Sequence, residues 1–150
     1  MMDKNALIPI LKKYGAEIGQ ECDIETPILF HNCRDYTDVY VGSYTHIGKN
    51  AFIDLRDRVE IGKNVTISME TKILTHMDLG HSRLKRRYPS DSKPVKIGDH
   101  CYIGVGSTIL MGVELGEGCV VAAGSVVTQS FPAGSMIAGI PAQKKKDISL

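Results

Sequence analysis

The stretch IGDHCYIGVGSTILMGVELGEGCVVAAGSVV, residues 97–127, decides the fold because an aliphatic residue recurs in it at every sixth position. The same spacing is found earlier in the chain. The recurring residues are Ile18, Ile24, Val41, Ile47, Ile53, Ile61, Ile67, Ile73, Ile97, Ile103, Ile109, Leu115, Val121 and Val127. A short fixed period indicates a repeat architecture in which each unit buries the face of the next.

A second set of residues recurs with the same six-residue period and indicates a turn in each repeat. Residues that tolerate a left-handed backbone recur three positions after the aliphatic residue, at Asn50, Asn64, Gly106, Gly112, Gly118 and Gly124. Asparagine and glycine turn a chain there because a positive φ costs them least. Each unit therefore predicts one short strand and one corner, and three units close a triangular coil of about 18 residues.

This repeat predicts an all-β protein, a parallel β-helix of about five triangular coils over residues 18–132. Residues 1–17 are expected to form a short N-terminal cap, and residues 133–150 a C-terminal tail. Residues 79–94 break the six-residue phase and predict a loop excursion. A βαβ domain is disfavoured because its crossover helices need a dozen or more residues of helical period, which the repeats do not contain.

Composition narrows the choice of partners. Lys and Arg number 18 against 17 Asp and Glu, so the net charge is only +1. That balance argues against nucleic-acid binding or membrane-surface attachment through bulk charge. No apolar run approaches the roughly 20 residues that span a bilayer, and no signal-peptide pattern opens the chain. A cytoplasmic protein without membrane insertion is therefore expected.

The four cysteines lack the spacing of a metal site or a redox pair. Cys22, Cys101 and Cys119 stand four positions after an aliphatic residue, in a column of small or slim side chains. We expect these three to act as small buried hydrophobes in the wall of the coil.

Histidine is the side chain best suited to take a proton from an attacking hydroxyl or amine near neutral pH. His76 stands where the third coil ends and the excursion begins. Asp78 follows closely and is expected to orient the imidazole or to position an acceptor. His81 is a second candidate for the same role. An exposed loop histidine without function is the alternative for His76.

The excursion is rich in basic side chains: Arg83, Lys85, Arg86, Arg87 and Lys93. Such a segment can reach phosphate groups or an acidic acceptor. A solvated loop whose charges only favour solubility explains the composition equally well.

Four motifs resemble the hexapeptide-repeat acyltransferases, especially the maltose and galactoside O-acetyltransferase group. They are THMD (75–78), KPVKIGDHCYIGVGSTIL (93–110), AAGSVVT (122–128) and AGIPA (138–142). The resemblance implies a left-handed coil and a homotrimer with three active sites between neighbouring prisms. It further implies acetyl-CoA as the donor, direct transfer to the acceptor, and no metal.

The resemblance also implies roles for individual residues. His76 would be the general base, although some relatives place the histidine slightly later, which leaves His81 open. The residues implied for the cofactor are Tyr102, Gly104, Val105, Ala123 and Thr128, with Lys146 in a basic run that could meet the cofactor phosphates. The residues implied for the acceptor are Asp54, Arg56, His81 and Arg83.

The leading hypothesis is an O-acetyltransferase that acts on a hydroxyl of a sugar or polysaccharide precursor. N-acetylation at the same site stays open. A zinc hydratase similar to the γ-class carbonic anhydrases is an alternative, because His76 and His81 match a spacing of that family. It needs a third converging histidine, which the sequence does not place. A non-catalytic scaffold is the third hypothesis.

Overall fold

Short strands follow one another along nearly the whole chain in the computed structural model, which describes residues 4–149. Residues 1–3 of the predicted cap and residue 150 of the predicted tail lie outside the described residues. Helix α1 is Lys4–Lys13, and one 3₁₀ turn, η1, is Arg83–Arg86. The strands are β1 (Glu17–Ile18), β2 (Asp23–Ile24), β3 (Leu29–His31), β4 (Val39–Val41), β5 (His46–Ile47), β6 (Phe52–Asp54), β7 (Val59–Ile61), β8 (Thr66–Ile67), β9 (Lys72–Ile73), β10 (His76–Met77), β11 (Asp91–Ser92), β12 (Val95–Ile97), β13 (Tyr102–Ile103), β14 (Thr108–Ile109), β15 (Glu114–Leu115), β16 (Val120–Val121), β17 (Val126–Val127), β18 (Ser135–Gly139) and β19 (Ala142–Asp147).

Three sheets form the walls of a prism. Sheet A has the order β1-β4-β7-β12-β15, sheet B the order β19-β18-β16-β13-β8-β5-β2, and sheet C the order β17-β14-β9-β6-β3. Successive strands visit sheets A, B and C in turn, and strands of neighbouring coils pair in parallel. The predicted parallel β-helix is confirmed.

The aliphatic column fills the inside of the prism. Ile73, Ile109 and Val127 pair in register in sheet C, one coil apart, and all three are buried. Ile103 holds the same place in sheet B between Ile67 and Val121. Burying one such side chain contributes roughly 1.5–3 kcal/mol, so the repeated column supplies the main stabilisation of the fold.

The corner column is also confirmed, and it extends beyond glycine and asparagine. Asn50 and Asn64 have φ of 59° and 54°, and Gly124 has φ of 68°. Tyr44 and His100 occupy the same column and adopt φ of 61° and 59°. Position in the repeat therefore imposes the left-handed conformation, even on residues that adopt it less readily.

The chain makes about six turns rather than about five. Phe131 bridges to Leu115 in sheet A, and β18 pairs in parallel with β16 in sheet B. Phe131 and Ile137 keep the six-residue spacing and are buried, but their phase is displaced from that of Val127. That displacement explains why the sequence predicts a tail from residue 133. Strand β19 then reverses and pairs antiparallel with β18.

Helix α1 lies over the first coil. Its residues Leu7 and Leu11 are buried in the same core cluster as Ile18 and Ile24. The sequence predicts one or two helical turns here, and the helix is 10 residues long despite Pro9. These two leucines stand four positions apart and so share the helix face that is buried.

Two of the three wall cysteines are fully buried. The Cys101 and Cys119 thiols donate to the carbonyl oxygens of Gly116 and Pro132, each at 3.2 Å. Cys22 is only partly buried and donates to the Gly42 carbonyl at 3.2 Å. The interaction with the Cys119 thiol and burial together raise the pKa of the Cys101 thiol. The burial predicted for this column is confirmed at Cys101 and Cys119.

Close approach of successive coils predicts a stability effect at Gly42. A Cβ there would lie 2.6 Å from the backbone nitrogen of Lys63 in the next coil. We expect Gly42→Ala to lower the free energy of unfolding by about 1–3 kcal/mol, since overpacking forces the backbone apart. Urea unfolding followed by circular dichroism measures it. Gly106→Asn is the matched control, because the space there is open and asparagine tolerates φ of 67°. Equal stability of the two variants would contradict the prediction.

Candidate active site

His76 lies at the corner where the third coil leaves sheet C for sheet A. We call this side of the prism the CA edge, which comprises residues 32–38, 55–58, 74–94, 110–113 and 128–130. The corner between sheets B and C in the fourth and fifth coils, residues 104–107 and 122–125, is the BC edge. Since β10 begins at His76, that residue leaves the prism wall at the start of the excursion.

The imidazole of His76 is hydrogen-bonded to the buried carboxylate of Asp54. His76 Nδ1 lies 2.6 Å from Asp54 Oδ2. The Asp54 side chain is only 1% exposed, whereas that of His76 is 24% exposed. An ionised carboxylate can only accept a hydrogen bond, so Nδ1 carries the proton in this contact. The lone pair of the neutral ring is then on Nε2.

Several donors hold the Asp54 carboxylate in place. The backbone N–H and the hydroxyl of Thr75 donate to Asp54 Oδ2 at 2.9 and 2.8 Å. Asn32 Nδ2 donates to Asp54 Oδ1 at 2.8 Å. Burial, the largest single influence, would raise the pKa of Asp54, but hydrogen bonds from His76, Asn32 and Thr75 together lower it to about 2. Asp54 is therefore an anion at neutral pH.

The first coil contributes a second contact to His76. The rings of His31 and His76 stack with centroids 6.3 Å apart and an interplanar angle of 28°. His31 pairs in register with Asp54 across β3 and β6, so the strand pairing brings it to the same corner. Sequence reasoning missed His31 and Asn32, because no motif marks them, and it gave no role to Thr75 although this residue begins the THMD motif. The only available signal was the polar Asp54 directly after the buried Ile53.

The predicted excursion is an ordered arm, residues 76–92. Strands β10 and β11 pair antiparallel, with His76 opposite Ser92, and η1 lies at the far end of the arm. Pairing of β10 with β11 fixes the direction in which the chain leaves His76. The four basic residues in and just after η1 are exposed: Arg83, Lys85, Arg86 and Arg87.

The Asp78 carboxylate makes its hydrogen bonds to residues of the arm and not to the imidazole of His76. Its Oδ1 accepts hydrogen bonds from Ser90 Oγ at 2.7 Å and from the Gly80 N–H at 2.9 Å, and it lies 3.4 Å from Lys85 Nζ. These hydrogen bonds, that from Ser90 first, lower the pKa of Asp78 to about 2. The carboxylate that contacts His76 Nδ1 is instead Asp54, because the pairing of β6 with β9 brings Asp54 to the end of the third coil.

A small open cavity of about 170 Å³ lies at His76. Its lining residues are Arg56, His76, Met77, Asp78, Ser90, Asp91 and Ser92. Of the residues predicted for the acceptor, Arg56 lines this cavity, and Asp54 lies buried behind His76 without reaching it. His81 and Arg83 are exposed farther along the arm and do not line it.

Comparisons with known proteins find the same repeat architecture in acetyltransferases. Residues 94–129 match a family model described as the hexapeptide repeat of succinyl-transferase.

The galactoside O-acetyltransferase of Escherichia coli (strain K12) is 28% identical over 146 residues, which cover 93% of this chain and 68% of that protein. A maltose O-acetyltransferase structure from Clostridium difficile 630 is 27% identical, with a TM-score of 0.85 over 99% of this chain and 78% of that one. The chain is thus similar to hexapeptide-repeat acetyltransferases over nearly its whole length. A galactoside acetyltransferase in complex with coenzyme A gives a TM-score of 0.83 at 27% identity, over 93% of this chain and 68% of that one.

The residues predicted for the cofactor lie on two sides of the prism. Gly104, Val105 and Ala123 are on the BC edge, with Tyr102 just before them on β13. Thr128 follows β17 on the CA edge, and Lys146 is exposed on β19. Within one chain, the width of sheet C therefore separates most of this set from His76.

The zinc hydratase alternative is not favoured. Zinc hydration needs three converging protein ligands and an open position. Over residues 4–149, no group of three or more His, Cys, Asp or Glu side chains is arranged to hold a metal ion. His76 instead directs Nδ1 to Asp54, and His81 lies out on the arm.

None of the helices among residues 4–149 is long and apolar enough to cross a bilayer.

Proposed function

We propose that this acetyltransferase moves an acetyl group from acetyl-CoA directly to a hydroxyl group of a saccharide, with His76 as the general base. The observation that carries the proposal is the 2.6 Å contact between His76 Nδ1 and the buried, ionised Asp54. A carboxylate on Nδ1 fixes the tautomer of the ring and stabilises the imidazolium that forms during reaction. The Nε2 atom is then the base.

The proposed reaction has two steps. The acceptor oxygen forms a bond to the thioester carbonyl carbon while Nε2 takes the hydroxyl proton, which gives a tetrahedral intermediate and an imidazolium. The intermediate then collapses, the carbon–sulfur bond breaks, and the leaving sulfur takes the proton back from Nε2. The products are an acetyl ester and free CoA thiol. Such base catalysis contributes typically about 10²- to 10⁴-fold in rate.

Acetyl-CoA as the donor is supported by a related galactoside acetyltransferase whose structure contains coenzyme A. We propose that Tyr102, Gly104, Val105 and Ala123 contact the cofactor. These residues are separated from His76 within one chain, so we further propose a homotrimer in which the BC edge of one subunit meets the CA edge of the next. Thr128 and Lys146 complete the predicted cofactor contacts.

A saccharide acceptor is supported by the relatives named for galactoside and maltose. We propose that Arg56 contacts it, because this side chain lines the cavity at His76. His81 and Arg83 lie on the arm outside the cavity, so they could contact only a part of the acceptor that extends along the arm. Transfer to an amine instead of a hydroxyl uses the same base. The cytoplasmic location expected from the sequence stays a prediction.

Thiol release from acetyl-CoA tests the proposal. Galactosides, maltose and an amino sugar would each be offered to the purified protein, with Ellman's reagent to detect free CoA. We expect release that depends on a hydroxyl acceptor, and a product with the mass of an acetyl ester. Release only with the amino sugar would make the enzyme an N-acetyltransferase. The proposal fails if no acceptor gives release and calorimetry shows no binding of acetyl-CoA.

A further inference from the structure

Three cavities follow one another along the CA edge. The cavity at His76 in the third coil is next to one of about 300 Å³ between the first and second coils, and they share Arg56 as a lining residue. That second cavity shares Arg34 and Asp35 with a third, also about 300 Å³, which reaches helix α1 at Ile10 and Tyr14. Because neighbouring cavities share lining residues, we refer to the three together, from His76 to helix α1, as the N-terminal groove.

We propose that the N-terminal groove binds an extended acceptor, an oligosaccharide of three or more sugar residues whose terminal unit is acetylated at His76. This inference rests on the proposed function, because it places the sugar residues beyond the acetylated unit in the cavities next to His76. The cavity at His76 has about 170 Å³, while small-molecule sites usually span about 300–1,000 Å³. A longer acceptor would draw its affinity from the two neighbouring cavities.

The lining of the groove suits a neutral, hydroxyl-rich ligand. The middle cavity presents Asn32, Arg34, Thr37, Asp38 and Arg56, which offer both donors and acceptors of hydrogen bonds. Arg34 and Arg56 line this cavity together with Asp35 and Asp38, so its formal charges balance and it has no strong preference for a charged ligand.

The far end of the groove offers an aromatic surface. The Tyr14 side chain is 54% exposed, and Lys13 Nζ lies 5.7 Å from the centroid of its ring. The C–H faces of a pyranose ring pack well against an aromatic ring, whose hydroxyl can still meet water. Tyr14 therefore suits the third or a later sugar residue of the chain.

The direction of the groove leaves room for the donor. It runs from His76 toward the first coil and helix α1, while the residues proposed for the cofactor stand in the fourth and fifth coils or later. Donor and acceptor would thus approach His76 from opposite ends of the prism without competing for space.

A series of acceptors of increasing length tests this inference. The sugar that supports thiol release would be offered as its mono-, di-, tri- and tetrasaccharide. We expect kcat/KM to rise roughly tenfold or more from the monosaccharide to the trisaccharide, the combined effect of two added subsites of modest strength. In Tyr14→Ala, we expect the part of that rise between the disaccharide and the trisaccharide to be lost. Tyr44→Asn is the matched control, since Tyr44 is also exposed but lies between sheets A and B, with φ of 61° that asparagine tolerates.

The outcomes separate this inference from the proposed function. An active enzyme whose kcat/KM does not change with acceptor length would overturn the groove and leave the acetyl transfer intact. An equal loss in Tyr14→Ala for every acceptor length would also overturn it, because a subsite acts only on long acceptors. Calorimetry of the same series on His76→Ala measures the groove without catalysis. Affinity that rises with length there supports the groove even if transfer is not detected.

Discussion

Replacing His76 with alanine is expected to lower kcat by about 10²- to 10⁴-fold, the usual contribution of a general base. The hydroxyl of the acceptor would then have to lose its proton to water. We expect KM for acetyl-CoA to change little, because the imidazole acts on the acceptor and not on the cofactor. Steady-state thiol release measures both constants, and a circular dichroism spectrum checks that the variant is folded.

A second histidine provides the matched control. His46 Nδ1 lies 3.2 Å from Asp23 Oδ2, but both side chains are well exposed, at 39% and 50%, on the outside of sheet B. His46→Ala removes the same atoms from a histidine–aspartate pair that is away from the CA edge, and its kcat should stay near that of the native protein. If His81→Ala abolishes release while His76→Ala retains it, the base is His81.

Asp54→Asn is expected to produce the next largest effect, a loss of about 10²- to 10³-fold in kcat. The amide removes the negative charge that stabilises the imidazolium, and it can donate to Nδ1, which puts the proton on Nε2 and blocks the base. Thiol release over a range of acetyl-CoA and acceptor concentrations should show the loss in kcat and not in KM.

Asp78→Asn distinguishes between the two carboxylates near His76. The hydrogen bonds of Asp78 go to Ser90 and Gly80 of the arm, so its amide variant should lose far less of kcat than Asp54→Asn. A larger loss in Asp78→Asn would show that the contact of Asp54 with His76 is not the one used in catalysis.

Acid unfolding gives a second measurement on Asp54. Its folded pKa of about 2 is below the ordinary value of 3.8, so the ionised carboxylate stabilises the native protein at every pH above about 4. That contribution, on the order of 2 kcal/mol, is lost as the pH falls from about 4 through about 2. Asp54→Asn should therefore lose less stability than the native protein between these two pH values.

The sequence predicts the repeat well because its physical cause is local. Each buried aliphatic residue and each left-handed corner depends on its place within six residues, so the columns at Ile103 and Gly106 could be recognised without knowledge of the tertiary structure. The sixth turn was missed where the spacing changes, between Val127 and Phe131. A change of phase looks the same in a sequence whether the coil ends or continues.

The candidate site was only partly predictable, because its contacts join different coils. His76 could be placed at the end of the third coil from the repeat alone. Its partner Asp54 is 22 residues earlier, and Asn32 is a further 22 residues earlier, so neither follows the spacing of the repeat. Their meeting depends on how long each connection along the CA edge is, and the periodic pattern carries no information about that length.

The reversal of the chain at β19 affects whether another molecule can pair with the edge strand at the C-terminal end of the coil. A parallel coil that simply stopped would leave an edge strand with free N–H and C=O groups, which a second molecule could extend into a fibre. Strand β19 covers β18 with a strand of opposite direction that carries Lys144, Lys145 and Lys146 toward solvent. Mutual repulsion of these lysines would oppose end-to-end stacking of two copies. Helix α1 lies over the opposite end of the coil, with Leu7 and Leu11 buried in its core, so both ends of the described coil disfavour the addition of another strand.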